Sequence, residues 1–225
     1  MQFGRRINSK KNHCYVLLSF VLCSLFPYPL FAQNSDAIAT IEKTQGFTAI
    51  QREGQWHIAQ VGDKLANGDR LYSGDKSRIQ FDFVDGTTTT LGEFSNFNID
   101  NYQWSELPAE QQQAEAEFSL NSGVFRIITG QITQVESPRF AVNTPLASIG
   151  IRGTDFWGGY LDSGKIDVFF VEGEHAIEIT GQGQTAILDN PTQGVTFSED
   201  GEVSEVVFWG QAKIERAVNT VTFDN

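Results

Sequence analysis

The sequence predicts an all-β protein, and three observations support this fold class. Apolar and polar residues alternate along several short segments, glycine-containing turn signals recur between those segments, and helical periodicity is nearly absent. In RIQFDF, for example, Ile79, Phe81 and Phe83 share one face of the predicted strand. Short strands with regular turns are typical of a β-sandwich, a roll or a β-helix-like fold, and periodicity alone leaves all three open.

Residues 1–32 have the order of a secretory signal peptide, and we expect cleavage after Ala32. A basic head precedes an apolar run over residues 14–26, which is shorter than the roughly 20 residues of a membrane-spanning helix. Cleavage removes both cysteines, so the sequence predicts a periplasmic or secreted protein without disulfides. A retained N-terminal anchor is the alternative, and a mature chain that begins at Gln33 would exclude it.

The chain is acidic, with a formal net charge of −12. The leader contains four basic and no acidic residues, so its removal changes the charge to −16. Phosphate backbones and anionic lipids would be repelled, and we therefore expect no nucleic-acid partner and no membrane contact after cleavage. The negative charge itself is typical of a soluble surface.

The mature chain is predicted to form one domain with three regions. Residues 33–60 are N-terminal strands that pack on the domain, residues 61–160 are its core, and residues 161–225 are a C-terminal β extension. Within that extension, KIDVFFV has apolar residues on both faces once Phe169 and Val171 are reached. This pattern indicates a strand that is covered on both sides.

One turn and two non-β segments complete the predicted organisation. Asp85-Gly86 is the strongest hairpin signal, because a type I′ turn favours residues that tolerate positive φ. Residues 105–117 are polar and lack β-branched side chains, which indicates a surface loop or a short helix. Residues 211–218, QAKIERAV, predict two helical turns.

The sequence contains no motif of a known catalytic or metal site. It lacks HExxH, the GxSxG nucleophile elbow and a phosphate-binding glycine loop. The two histidines that remain after cleavage, His57 and His175, lie in unrelated predicted strands. We therefore expect no catalytic residue, no cofactor and no metal, and a protein that is not an enzyme. A hydrolase site with paired carboxylates stays an open alternative, because such a pair could lie among the 28 acidic residues. With so many acidic residues, a pair is also expected by chance.

The segment Phe140 to Tyr160, FAVNTPLASIGIRGTDFWGGY, places one arginine among apolar and small residues. Its apolar positions alternate, and its glycines permit close approach of a neighbouring backbone. We predict that Arg152 is partly covered and donates hydrogen bonds to backbone carbonyls or to a carboxylate such as Asp155 or Asp167. Such contacts would hold one strand crossing against the next.

The run Val142 to Phe156, VNTPLASIGIRGTDF, resembles the signature of the FecR domain family, V-x-T-P-x-A-x-x-G-x-R-G-T-x-F. Upstream, the glycine-aspartate turns, the D-G-T…L-G hairpin and the strand GVFRIITGQI are similar to the family in the same order, so the resemblance covers about Val61 to Tyr160. It implies structural roles for seven signature residues: Thr144, Pro145, Gly150, Arg152, Gly153, Thr154 and Phe156.

The resemblance also implies a non-enzymatic envelope protein that acts through protein contacts as an interaction, regulatory or sensing module. Regulatory members of the family keep a membrane helix and a cytosolic segment that acts on an extracytoplasmic sigma factor. Here only about a dozen residues precede the apolar run, which are too few for a helical segment that binds a sigma factor. A membrane-anchored regulator is therefore the alternative and not the leading hypothesis. A glycan or cell-wall binding module that uses aromatic platforms is a second alternative.

The tryptophans are the candidate anchors for an envelope protein partner, because tryptophan is enriched at binding hot spots. Trp104 borders the polar segment 105–117 and is the predicted partner contact. Trp157 and Trp209 lie among apolar strand residues, so we expect both in the core.

Overall fold

The computed structural model of the chain describes two long segments and three residues near the N-terminus: 37–105, 114–224, Met1, Gln2 and Gly4. The rest of the predicted signal peptide lies outside the described residues. So do residues 106–113, which form most of the predicted polar insertion.

The described residues form eighteen strands and one α-helix, in chain order β1 (Ala39–Gln45), β2 (Thr48–Arg52), β3 (Gln55–Ile58), β4 (Lys64–Leu65), β5 (Arg70–Ser73), β6 (Arg78–Phe83), β7 (Thr88–Leu91), β8 (Asn96–Gln103), β9 (Glu115–Ser122), β10 (Val124–Ile128), β11 (Arg139–Asn143), β12 (Ser148–Gly150), β13 (Thr154–Asp162), β14 (Lys165–Gly173), β15 (Ile177–Gly181), β16 (Gln184–Leu188), β17 (Gln193–Ser198), β18 (Val207–Phe208) and α1 (Gln211–Thr220). A 3-10 turn at Gln131–Thr133 precedes β11.

The strands form two nine-stranded sheets. The first sheet has the order β18-β17-β14-β13-β10-β7-β6-β1-β4, and the second has the order β16-β15-β12-β11-β9-β8-β5-β2-β3. From β6 onward the chain alternates between the sheets, one or two strands at a time. Within the described strands, neighbours are antiparallel except for β9 and β11, which run parallel.

The inner faces of the two sheets meet in one core. Ile79, Phe81 and Phe83 of β6 are all buried, as their spacing predicts. The Phe81 ring lies 6.1 Å from that of Phe97 in the opposite sheet, and Phe83 stacks on Tyr102 with ring centroids 4.6 Å apart. The all-β prediction is confirmed, and of the three open architectures the observed one has two facing sheets.

Helix α1 covers the outer face of the first sheet over β13 and β14. A second apolar cluster there includes Trp157, Phe169, Trp209 and Ala217. The rings of Phe169 and Trp209 stack with centroids 5.0 Å apart. The strand with apolar residues on both faces is therefore covered on both sides, and the predicted C-terminal helix and the buried positions of both tryptophans are confirmed.

Strands β6 and β7 form the predicted hairpin, but without a type I′ turn. Gly86 has a φ of +87°, whereas the φ of Asp85 is not positive. The Asp85 carboxylate instead accepts a hydrogen bond from the Thr87 N–H at 3.1 Å, and this side-chain turn replaces the expected geometry. Positive φ at both central residues occurs at Glu53 and Gly54, between β2 and β3.

The described end of the predicted insertion is a strand rather than a loop or a helix. Strand β9 begins at Glu115, and its first four residues alternate between exposed or half-buried glutamates and buried Ala116 and Phe118. Pairing with β8 on one side and β11 on the other overrides the low strand propensity of this segment.

Candidate functional site

Arg152 lies on the surface, and the prediction that it is partly covered and holds two strands together is wrong. Its side chain is exposed, and within the described part of the chain it forms no hydrogen bond or ion pair. The expected partners are occupied by other cations. Asp155 accepts two hydrogen bonds from Arg126, at 2.9 and 2.6 Å, and Asp167 lies 2.6 Å from the Lys213 ammonium.

The backbone around Arg152 is firmly anchored even though the side chain is exposed. Ile151 is buried, and so is Thr154. The Thr154 hydroxyl donates to the His175 carbonyl at 3.0 Å, and the Thr154 N–H donates to the Thr129 hydroxyl at 2.7 Å. An arginine held on a fixed backbone loses less conformational entropy when it binds a ligand.

A trough crosses the outer face of the second sheet beside Arg152. One row of facing residues runs across five neighbouring strands: Glu117, Ala141, Gly150, Glu178 and Ile187. Ala141 and Gly150 have little or no side chain, so the middle of the row is low. The resulting depression has a volume of about 790 Å³ and is also lined by Arg139, Arg152 and His175. We call it the Arg152 trough.

The trough contains charges of both signs, and three of them have partners within the domain. Arg139 lies 3.3 Å from Glu115, and the Glu117 carboxylate accepts a hydrogen bond from the Asn143 amide at 3.0 Å. Arg152 also lines an adjoining depression of about 610 Å³. Its planar guanidinium can therefore bind a carboxylate or carbonyl of a partner with two parallel hydrogen bonds.

Other signature residues shape the backbone around the trough. The Thr144 hydroxyl donates to the Ala147 carbonyl at 2.9 Å and accepts the Ala147 N–H at 3.0 Å, closing the turn that contains exposed Pro145. Gly153 follows the arginine with a φ of +98°, and Phe156 is buried in the core. These residues serve the turn and the core.

A buried polar contact between the two sheets is made by Asp85, which the sequence indicated only as a turn residue. Its carboxylate is 2% exposed and accepts hydrogen bonds from the Thr87 hydroxyl at 2.7 Å, the Tyr102 hydroxyl at 2.8 Å and the Ile132 N–H at 2.9 Å. Burial, together with the nearby Asp85 charge, raises the pKa of Tyr102 far above its ordinary value. The D-G-T motif was the available signal for this contact.

Trp157 and Trp209 are buried as predicted, whereas Trp104 and Trp56 are more accessible. Trp104 is half-buried against the core, and the segment that follows it lies outside the described residues, so its partner contact stays a prediction. Trp56 in the edge strand β3 is 51% exposed and was not singled out. The available signal was its place in a four-residue strand directly after the Glu53-Gly54 turn.

The described part of the chain contains no candidate metal site. No three His, Cys, Asp or Glu side chains there are arranged to hold a metal ion. His57 lies in β3 and His175 lies just before β15, near opposite ends of the second sheet. No described helix is long and apolar enough to cross a bilayer.

Residues 69–174 match the family model described as FecR protein. The chain carries a FecR domain. The matched region of the FecR domain includes Asp85 and Arg152, and it begins and ends later than the resemblance over Val61 to Tyr160. No curated protein matches the chain.

The chain is similar in fold to two crystal structures of a proposed anti-sigma factor from Parabacteroides distasonis. The first, at 1.65 Å, is 15% identical with a TM-score of 0.50, and the second, at 2.50 Å, is 16% identical with a TM-score of 0.51. Each alignment covers 65% of this chain and 62% of the other, so the chain spans less than two thirds of those proteins. At these identities the likeness concerns the fold alone.

Proposed function

We propose that this FecR-domain protein is a non-enzymatic regulatory or sensing module that binds a protein partner in the cell envelope through the Arg152 trough. The observation that carries the proposal is the signature arginine, exposed and without a protein partner in the described part of the chain, at a depression in the domain surface. The family match and the fold likeness to a proposed anti-sigma factor support the regulatory role.

The trough has the size and chemistry for a segment of polypeptide. Its volume of about 790 Å³ lies within the range of specific binding pockets. Arg152 would pair with a carboxylate of the partner, while exposed Glu178 would accept hydrogen bonds from its amide or cationic groups. A partner segment with charges of both signs therefore complements the trough better than a purely anionic or cationic one.

The proposal is tested by photocrosslinking from inside the trough. A photoreactive residue replaces Ser148, which is exposed and lines the trough, and a control replaces Ala212, which is exposed on α1. We expect one envelope protein to be captured from position 148 and not from position 212, and Arg152→Glu to abolish the capture. Equal capture from both positions, or capture that persists in Arg152→Glu, contradicts the proposal.

Export to the envelope is tested separately by the mass of the protein in cell fractions. The basic head, the apolar run and the alanine at position 32 support a cleaved leader. We expect a periplasmic or secreted species that begins at Gln33. An intact chain beginning at Met1 in the membrane fraction would instead support the membrane-anchored regulator.

A further inference from the structure

A second exposed cluster lies on the outer face of the second sheet, at the β3 end. Phe47, Trp56 and Ile58 are each more than half exposed, at 54%, 51% and 57%. The Tyr72 ring contacts two of them edge-on, at centroid distances of 6.3 Å from Phe47 and 6.4 Å from Trp56. Single exposed apolar residues are ordinary, but a contiguous aromatic group beside polar side chains marks a binding surface.

Trp56 is the first residue of a row that continues into polar side chains. Across neighbouring strands it faces Gln51, which faces Arg70, which faces Asn98. Facing residues share one side of a sheet, and the apolar residues that alternate with them in β2, β5 and β8 are buried in the core: Ile50, Leu71, Phe97 and Ile99. The four side chains, which we call the Trp56 row, therefore lie together on the outer face and span about 14 Å at the usual strand spacing.

The polar half of the Trp56 row is already ordered by an internal hydrogen bond. Arg70 Nε donates to Asn98 Oδ1 at 2.9 Å. A small depression of about 180 Å³ is lined by Gln51, Arg70 and Asn98 and also by Glu53 and Asp100. Amide and guanidinium donors thus stand beside carboxylate and amide acceptors within one small site.

We propose that the Trp56 row binds a neutral sugar ring of a glycan. A sugar hydroxyl both donates and accepts hydrogen bonds, which matches the mixed lining of the depression. Trp56 does not line the depression but faces Gln51, which does, so the apolar C–H face of a ring at this edge would stack on the exposed indole. An anion would meet the carboxylates of Glu53 and Asp100, and the volume is below that of sites for drug-sized ligands, which suits one ring.

This site is separate from the Arg152 trough and uses different strands of the same outer face. The trough lies over β9, β11, β12, β15 and β16, whereas the Trp56 row lies over β3, β2, β5 and β8. Loss of either function therefore leaves the other measurable. A chain held on a glycan by the Trp56 row would keep the trough exposed on the same side.

The purified protein is titrated with N-acetylglucosamine trimer, maltotriose and cellotriose in turn. Binding is measured by calorimetry and by tryptophan fluorescence. We expect at least one trisaccharide to bind at millimolar concentrations and to shift the emission of Trp56. Trp56→Ala and Asn98→Ala should each weaken binding about tenfold or more. The control Phe208→Ala removes an aromatic ring in β18 that is more exposed than Trp56, at 66%, and should bind like the wild type.

Three outcomes overturn the proposal. The first is no binding of any of the three sugars by the wild type. The second is equal weakening by Trp56→Ala and Phe208→Ala, which would indicate non-specific contact with aromatic rings. The third is capture of one protein by a photocrosslinker that replaces the exposed Ile58 and leaves Trp56 intact, if none of the sugars displaces that protein. This outcome would assign the surface to a protein. Circular dichroism of the variants excludes unfolding as the cause.

Discussion

Asp85 and Arg152 are charged residues of the FecR domain with opposite relations to the fold. A buried carboxylate costs several kcal/mol unless donors surround it, and Asp85 has such donors on three sides. Arg152 is exposed and its charge remains hydrated, so its presence costs the fold little. We therefore assign Asp85 to stability and Arg152 to binding.

Asp85→Asn should destabilise the protein by about 2–4 kcal/mol, because an amide replaces one acceptor oxygen with a donor that faces other donors. The measurement is the free energy of unfolding in urea. The matched control is Glu42→Gln, which makes the same chemical change on an exposed side chain and should change stability by less than about 0.5 kcal/mol. Equal effects of the two substitutions would contradict this role of Asp85.

The raised pKa of Tyr102 predicts a loss of stability in alkali. The ordinary pKa of tyrosine is 10.0, and in the folded protein burial together with Asp85 raises the pKa of the Tyr102 hydroxyl above that value. Unfolding then releases a proton at high pH, so the stabilisation is complete below about pH 10 and falls by about 1.4 kcal/mol per pH unit above it. In Tyr102→Phe this part of the slope should vanish. If the stability curves of the wild type and Tyr102→Phe are parallel above pH 10, Tyr102 does not cause the loss of stability in alkali.

The strand connections contain two glycines that distinguish backbone strain from close packing. Gly86 and Gly123 both have positive φ, at +87° and +83°. A Cβ at Gly86 would meet open space, whereas one at Gly123 would overlap the Ser95 backbone. We expect Gly86→Ala to lower the free energy of unfolding by about 1–2 kcal/mol, from backbone strain alone.

Gly123→Ala should cost about 2 kcal/mol more than Gly86→Ala, because the Ser95 backbone must also move. Urea unfolding of both variants measures the difference. Similar losses at the two positions would show that the close approach between Gly123 and Ser95 is relaxed in solution.

Helix α1 packs its apolar face on β13 and β14. Ala217 is fully buried in the cluster with Trp157, whereas Ala212 on the same helix is exposed. Ala217→Glu should cost about 2–4 kcal/mol and shift the Trp157 emission to longer wavelength as water reaches the ring. Ala212→Glu, the control, should leave stability and emission unchanged. A shift in both variants would contradict this packing.

Local patterns in the sequence predicted most of the elements, because alternation of apolar residues reports directly which face of a strand is buried. The strand RIQFDF, the doubly covered strand and helix α1 followed from such patterns. The strand at Glu115 did not, since pairing partners on both sides decide it. The environment of Arg152 also could not be predicted, because Arg126 and Lys213, which occupy the expected carboxylates, come close only through the fold.

At the scale of the whole molecule, the two sheets have different outer faces. Part of the first sheet is covered by α1, while the second sheet exposes both the Arg152 trough and the Trp56 row. A protein that uses one face for the fold and the other for binding can lose binding without losing stability. We infer that the FecR domain of this chain keeps stability and binding on separate faces.

The most direct test of that claim is a paired measurement on Arg152→Ala, of thermal unfolding and of crosslinking from position 148. We predict an unfolding midpoint within about 2 °C of the wild type, because the side chain removed is exposed and has no hydrogen bond or ion pair in the described part of the chain. Capture of the partner should be lost in the same sample. A midpoint lowered by more than about 5 °C, with capture preserved, would show that the arginine supports the fold and would contradict the account.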